Sequence, residues 1–214
     1  MVGEIDRSLV VGDSHFAYLR LQKGSLFSLS HERARWHAAY EHDLWQTYSE
    51  IKEYLPVPCW GVLDIGSGLG GINILISRHY GDDPPFIHLL DGEADAPEMR
   101  LHRQTFNDMT IARHFLIANG VRPDRLNHFG TGAENLPRPY DLVLSLGSWC
   151  FHYEPDTYLP LLLRGGGLHM SSIVILDVRN NRKDYVEQLH RSFAQVAVIR
   201  RERKYKRIVF VRWR

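Results

Sequence analysis

Cysteine is nearly absent from this chain, and several other signals that would narrow its class are missing too. The 214 residues contain only Cys59 and Cys150. Two cysteines do not make a disulfide framework, and neither sits in a CxxC pair, so no zinc site is suggested. No apolar run approaches the roughly 20 residues that cross a bilayer as a helix. An excess of one charge is also missing: 26 Lys and Arg stand against 25 Asp and Glu, a formal net charge of +1. That balance gives no overall drive toward nucleic acid or an anionic membrane. The opening residues Met1-Val2-Gly3-Glu4-Ile5-Asp6-Arg7 lack the cationic and apolar regions of a signal peptide. These absences predict a cytoplasmic protein with no membrane partner. Repeats and low-complexity segments are absent. No metal-ligand spacing stands out, and Glu154, Asp156 and Asp177 form too loose a set to argue for an ion.

What is present is an ordinary globular balance, 44% hydrophobic and 24% charged, in a length that suits one α/β domain with a substantial core. The chain is organised around Val62-Leu63-Asp64-Ile65-Gly66-Ser67-Gly68-Leu69-Gly70-Gly71. This reads as a buried strand, a glycine turn and a helix running to about Tyr80, with Leu69, Ile72, Leu75 and Ile76 at helical spacing. Gly66 and Gly68 allow a sharp turn and close approach of a ligand to main-chain N–H groups at the helix start. The spacing Gly66-x-Gly68-x-x-Gly71 fits a dinucleotide fingerprint, and on its own it is a weak signal. Asp64, two residues before the first glycine, favours a different ligand. A carboxylate there repels a pyrophosphate and attracts an ammonium group.

Along the rest of the chain, residues 1–29 lack sustained periodicity and suggest an arm with a short helix at 14–21. Ser30 is a plausible N-cap for a long amphipathic helix to Leu55, carrying Trp36, Tyr40, Leu44, Tyr48, Ile51 and Leu55 on one face. Pro56 and Pro58 end it. The chain thus divides into an arm and helix at 1–55 and a main unit at 56–214, expected to fold together. Residues 86–90 form a second strand ending at Asp91-Gly92, where a carboxylate can accept hydrogen bonds from ribose hydroxyls. His88 within it is expected to pack. Residues 94–106 look like an inserted segment that could form part of a lid. A helix at 107–119 stops at Gly120, and a third strand follows at 126–129. Residues 140–146 form a fourth strand, 156–163 a short helix, 172–178 a fifth strand and 183–193 a helix. Residues 195–200 and 207–212 pair as a closing hairpin. The eight Lys and Arg between 200 and 214 could meet nucleic acid, but cations more often guard the edge of such a hairpin.

The run Asp64-x-Gly66-x-Gly68-x-Gly70 resembles motif I, and the strand Tyr140-Asp141-Leu142-Val143-Leu144-Ser145-Leu146 motif IV, of the class I S-adenosyl-L-methionine (SAM)-dependent methyltransferases, with Asp91 at the strand end between them. The resemblance covers residues 60–178. It implies a Rossmann-like, doubly wound α/β sheet of seven strands in the order 3-2-1-4-5-7-6, mostly parallel with an antiparallel end strand. It implies SAM as cofactor, held by Asp64, Gly66, Ser67, Gly68, Gly70, Asp91, Gly92 and Ser145. An acidic residue near 132 often reaches the adenine amine in this family. Gly132 stands here instead, which leaves main-chain groups around Ala133, or Glu134, to make that contact. The N-terminal helix often packs beside the cofactor cleft in this family.

Ser148-Trp149-Cys150-Phe151-His152-Tyr153 follows the fourth strand, where substrate normally sits. With Phe106-Asn107-Asp108-Met109, Ala118-Asn119-Gly120-Val121 and Asp156-Thr157-Tyr158-Leu159 it is similar to a group of sugar O-methyltransferases from bacterial polysaccharide and phage loci. That similarity implies a hydroxyl acceptor on a small molecule or glycan. His152 is the candidate base, because an imidazole titrates near neutrality. Trp149 and Tyr153 are candidates to stack on the acceptor, or else to plug the loop. His15 and His31 are weaker candidates for a role at the cleft. A nucleic-acid or protein methyltransferase, a partner-binding module on the same fold, and a dinucleotide enzyme are the alternatives.

Overall fold

Strand β1 (Gly61–Ile65) is buried along its whole length, and the sheet grows outward from it. The computed structural model describes residues 5–23, 33–92, 108–164 and 166–212. Its elements are α1 (Asp13–Lys23), α2 (Arg33–Ile51), β1, α3 (Gly71–His79), β2 (Phe86–Leu90), α4 (Met109–Ala118), β3 (Leu126–Phe129) and β4 (Tyr140–Ser145). They continue with α5 (Leu159–Arg164), β5 (Leu168–Arg179), α6 (Lys183–Leu189), β6 (Phe193–Arg201) and β7 (Tyr205–Arg212). The seven strands lie in the order β3-β2-β1-β4-β5-β7-β6. All pairings are parallel except those of β7, which runs antiparallel to both β5 and β6. This is the doubly wound, Rossmann-like sheet that the motifs imply. Chain order reverses between β1 and β4, so the crevice at their carboxyl ends is the expected ligand site.

Alternation along β1 divides the core. Val62 points into the layer built from α2, α3 and α4, with Tyr40, Leu44, Ile72, Leu75, Phe115 and Leu116. Leu63 and Ile65 point into the opposite layer, with Trp149, Tyr158, Leu162 and Tyr185. The apolar stripe expected on the long helix is buried at Trp36, Tyr40, Leu44, Tyr48 and Ile51. Its expected N-cap, Ser30, lies outside the described residues, as does the inserted segment at 94–106. Asp108 caps α4 by accepting from the amides of Thr110 and Ile111.

The arm before α1 is pinned across the helical layer. Asn119 accepts from Val10 N and donates to Val10 O, and Arg78 donates to the carbonyls of Asp6 and Ser8.

Of the boundaries that differ from expectation, three have a visible cause. Strand β5 begins at Leu168, four residues early, because a bulge absorbs the run His169-Met170-Ser171-Ser172. There Ser172 Oγ donates to Tyr140 O at 2.6 Å and accepts from His169 N at 2.7 Å, replacing lost ladder bonds. Helix α6 stops at Leu189, because Phe193 is drawn into β6 and buried against Phe210. The helix expected at 156–163 splits into a 3-10 turn, Pro155–Thr157, and α5.

The basic C-terminal run is partly turned inward. Arg207, 3% exposed, pairs with Asp177 on β5 and Glu50 on α2, and Arg200 also reaches Glu50. Arg212 donates to Leu168 O. Those three cations serve the fold rather than an outer surface. Among the described residues no helix is long and apolar enough to cross a membrane.

Candidate active site

Three segments meet at the reversal point: the glycine turn after β1, the end of β2, and the loop after β4. The turn starts at Gly66, whose N–H donates to Leu90 O at 2.7 Å. Gly66 has φ +71°, and a Cβ there would overlap the Ser148 side chain. Glycine is therefore required twice over, by handedness and by the close approach of the loop after β4. Gly68 and Gly70 also carry positive φ. Asp64 lies beneath the turn, 3% exposed, where its Oδ2 accepts from Asn73 Nδ2 at 2.7 Å. Burial pushes its carboxyl up to about 7, and the nearby Asp91 charge adds to this while the Asn73 bond opposes it. Asn73 Oδ1, on the residue bonded to Asp64, and Ser67 Oγ, in the glycine turn, are buried with no hydrogen-bond partner. Buried polar atoms without partners are uncommon in a finished core and mark this turn as a candidate ligand site.

Asp91 closes the other side. Its Oδ2 accepts from Gly68 N and its Oδ1 from Gly92 N, both at 2.7 Å, so it holds the glycine turn as well as facing the crevice. Asp91 N donates to Phe129 O at 3.2 Å, which brings the segment after β3 alongside. In that segment Ala133 is half-buried and Glu134 exposed, and a side chain at Gly132 would meet open space.

Helix α2 reaches the same turn. A Cβ on Gly71 would collide with the Tyr40 hydroxyl and crowd Leu44. Tyr40 and Asn73 are site residues that sequence reasoning missed. Asn73 had a signal, as the one polar residue within Ile72-Asn73-Ile74-Leu75-Ile76. Tyr40 had none, being one of six apolar-face residues. Gly71→Ala is expected to destabilise the protein by about 1–3 kcal/mol, the usual range for overpacking. Chemical denaturation measures this, and Tyr40→Phe should rescue it only in part, because Leu44 Cδ1 at 2.8 Å and the ring carbon Cζ at 3.0 Å still crowd the added atom.

The loop after β4 corrects two expectations. Ser145, expected at the cofactor, is fully buried with its hydroxyl engaged by the fold. Its Oγ donates to Ile65 O and accepts from Trp149 N, both at 2.8 Å, which knits β4 to the end of β1. Trp149 is not available to stack on an acceptor. It is fully buried, edge-on to Tyr158, with its indole N–H donating to Pro155 O at 3.0 Å. The loop folds tightly above it: His152 N donates to Ser148 O and Cys150 N to Tyr153 O. Cys150 takes φ +63°, which strains a non-glycine residue and turns the chain outward.

Phe151, His152 and Tyr153 follow, and none of the three is fully buried. His152 is exposed. Partial desolvation, and then the Arg179 charge, hold it below the usual imidazole range. Burial, and then the charge of Asp91 among others, raise the phenols of Tyr153 and Tyr158. Tyr158 was expected only as a helix residue.

His88 packs as expected, bonded to the Tyr140 hydroxyl and held neutral by burial at about 4. His15 is buried edge-on to Phe115, and its Nδ1 accepts from Gly12 N, so it serves the arm rather than the cleft. His31 lies outside the described residues. Among those residues no three His, Cys, Asp or Glu side chains gather as a metal would need.

No family model and no curated protein matches the chain. Solved structures do resemble it. The StiE O-MT segment, residues 961–1257, superposes with a TM-score of 0.59 over 98% of this chain and 85% of its own, at 13% identity. The PH0226 protein of Pyrococcus horikoshii OT3 gives 0.58 over 92% and 98%, at 16% identity. The methyltransferase domain of bacterial CtHen1-C gives 0.54 over 80% and 97%, at 12% identity. At these identities the likeness is one of fold, and the fold is the Rossmann-like one of methyltransferase domains.

Proposed function

We propose that this protein is a SAM-dependent methyltransferase acting on a hydroxyl of a small molecule or sugar. The observation that carries the reading is the buried Asp64 carboxyl at the root of a glycine turn, bonded to Asn73, with Asn73 Oδ1 and the turn's own Ser67 Oγ left without partners. A carboxylate withheld from water gains most from a cationic partner, and SAM's methionine end brings an ammonium group. A pyrophosphate in the same place would meet repulsion. Asp64, Gly66, Ser67, Gly68 and Gly70 would hold that end, Asp91 and Gly92 the ribose, and Ala133 or Glu134 the adenine. When bound, SAM supplies a methyl group on a cationic sulfonium.

The chain's own task is then to orient an acceptor and remove its proton. Our candidate for this is His152, and the reading is supported by the tight loop after β4 that carries it and packs on the glycine turn through Ser148. Desolvation and Arg179 disfavour its protonated form, which favours the imidazole as a base. Tyr153 from the same loop borders the acceptor space. The StiE and CtHen1-C relatives, described as an O-MT and a methyltransferase domain, support this reading by fold.

His152→Ala is expected to leave SAM affinity unchanged and to slow transfer by about 10²-fold or more. In the wild type the rate rises with pH through the lowered imidazole pKa, below 6.5, and then levels. The variant loses that rising limb. Turnover that survives the substitution across the whole pH range contradicts the assignment.

A further inference from the structure

We infer that the acceptor carries an oxyanion, a carboxylate or a phosphate, and that Arg179 is the residue that reads it. The inference rests on the methyl-transfer reading of the cleft, whose substrate class it names.

Arg179 is the last residue of β5, at the carboxyl end of the strand beside β4. Ligands of doubly wound sheets bind outside those ends. Its amide donates to Cys150 O at 3.2 Å, which fixes it to the loop that carries His152. Its guanidinium carbon lies 4.7 Å from the centre of the Phe151 ring, which holds one face of the fork in place. The Phe151 ring in turn meets His152 edge-on at 4.9 Å. The cation, though it belongs to β5, is therefore held against the loop that carries the proposed base, and its charge reaches that base.

What this arginine lacks is an acceptor. Its Nε is buried without a hydrogen-bond partner, and among the described residues its guanidinium makes no ion pair. The nearby acids are engaged elsewhere: Glu154 and Asp184 with Arg182, and Asp177 with Arg207. Other inward-turned arginines each find an acceptor, Arg113 on Leu126 O and Arg212 on Leu168 O. A buried Nε–H with no acceptor is unfavourable unless a ligand completes it. The planar fork of arginine fits the two oxygens of a carboxylate or phosphate.

Two arms test this. In the first, arginine Nε–H resonances of the labelled protein are followed during titration with sodium acetate, then sodium phosphate, against sodium chloride at equal ionic strength. The Arg179 signal is assigned by its loss in Arg179→Lys. A saturable shift with either oxyanion, absent with chloride, is expected, and the anion that saturates first names the acceptor group. A shift that stays linear and equals that of chloride overturns the inference.

In the second arm, labelled methyl transfer is compared within acceptor pairs: glucuronic acid and glucose, glucose 6-phosphate and glucose, 4-hydroxybenzoate and phenol. The wild type should favour an anionic member by about tenfold or more in kcat/KM. Arg179→Gln should bring the ratio near one with SAM affinity intact. A neutral preference in the wild type, or an unchanged ratio in the variant, contradicts the inference. Failure to bind SAM refutes the methyl-transfer reading instead, and the first arm still decides whether Arg179 captures an oxyanion.

Discussion

Asp64→Asn is expected to weaken SAM binding by about 100-fold or more while making the ligand-free protein more stable at pH 8. Both effects follow from one buried carboxylate. The loss of affinity is that of a close, desolvated charge pair, for which truncating one partner costs about 2–5 kcal/mol. The gain in stability follows from linkage. The folded-state pKa of Asp64 is raised from 3.8 to about 7. Between those values the folded state binds more protons than the unfolded one, so stability falls as pH rises through this window and is level above it. At about 1.4 kcal/mol per pKa unit, the loss amounts to roughly 4 kcal/mol at most.

An asparagine keeps the shape and removes the slope. Its amide can also donate to Asn73 Oδ1, which has no partner in the wild type. Calorimetry with SAM and urea denaturation at pH 5 and pH 8 read the two effects. Affinity lost together with stability would point to general damage, and affinity retained would remove Asp64 from the cofactor site.

Arg207→Ala is expected to destabilise the protein by about 3–5 kcal/mol, the range for stranding a buried charge. Arg207 Nε and Nη2 hold both oxygens of Asp177 at 2.8 and 3.1 Å, and Nη1 reaches Glu50 at 2.9 Å. Burial already raises the Asp177 carboxyl in spite of this partner. Without Arg207 the carboxyl rises further, so the variant loses stability as pH climbs above the ordinary carboxylate range. Denaturation midpoints should therefore separate from the wild type more at pH 8 than at pH 5. Replacing both partners with apolar residues, Arg207→Met with Asp177→Leu, should recover much of the loss, since the pair contributes little beyond mutual compensation. The network joins α2 to β5 and β7, and α2 carries Tyr40 to Gly71. The effect should therefore reach the cofactor turn as weaker SAM binding in the single variant.

How much of this was legible depended on whether a residue's role is set by its neighbours in sequence. Strands β2 and β3 stand where their apolar runs and bounding turns put them, and the stripe of α2 is buried as its spacing required. The glycine turn was readable because a left-handed backbone and close approach both demand glycine. Roles fixed by distant partners were not readable. Nothing local distinguishes Arg207 from the exposed cations beside it, since its partners are 30 and 157 residues away. Trp149 lies in an aromatic cluster that suggested a stacking platform, yet its indole N–H found Pro155 O and its ring filled the layer under β1 and β4. Ser145 had the position of a cofactor contact, but its hydroxyl was needed to join two strand ends. The start of β5 was hidden because a side-chain hydroxyl took over the work of ladder bonds.

The most direct test of the account is calorimetric titration of the protein with SAM, S-adenosylhomocysteine and NAD in parallel. Binding of the two adenosyl sulfur compounds, stronger as pH rises through the Asp64 range near 7, with no heat from NAD, is the expected result. Binding of NAD without SAM would contradict the reading of Asp64 and place the protein among dinucleotide enzymes.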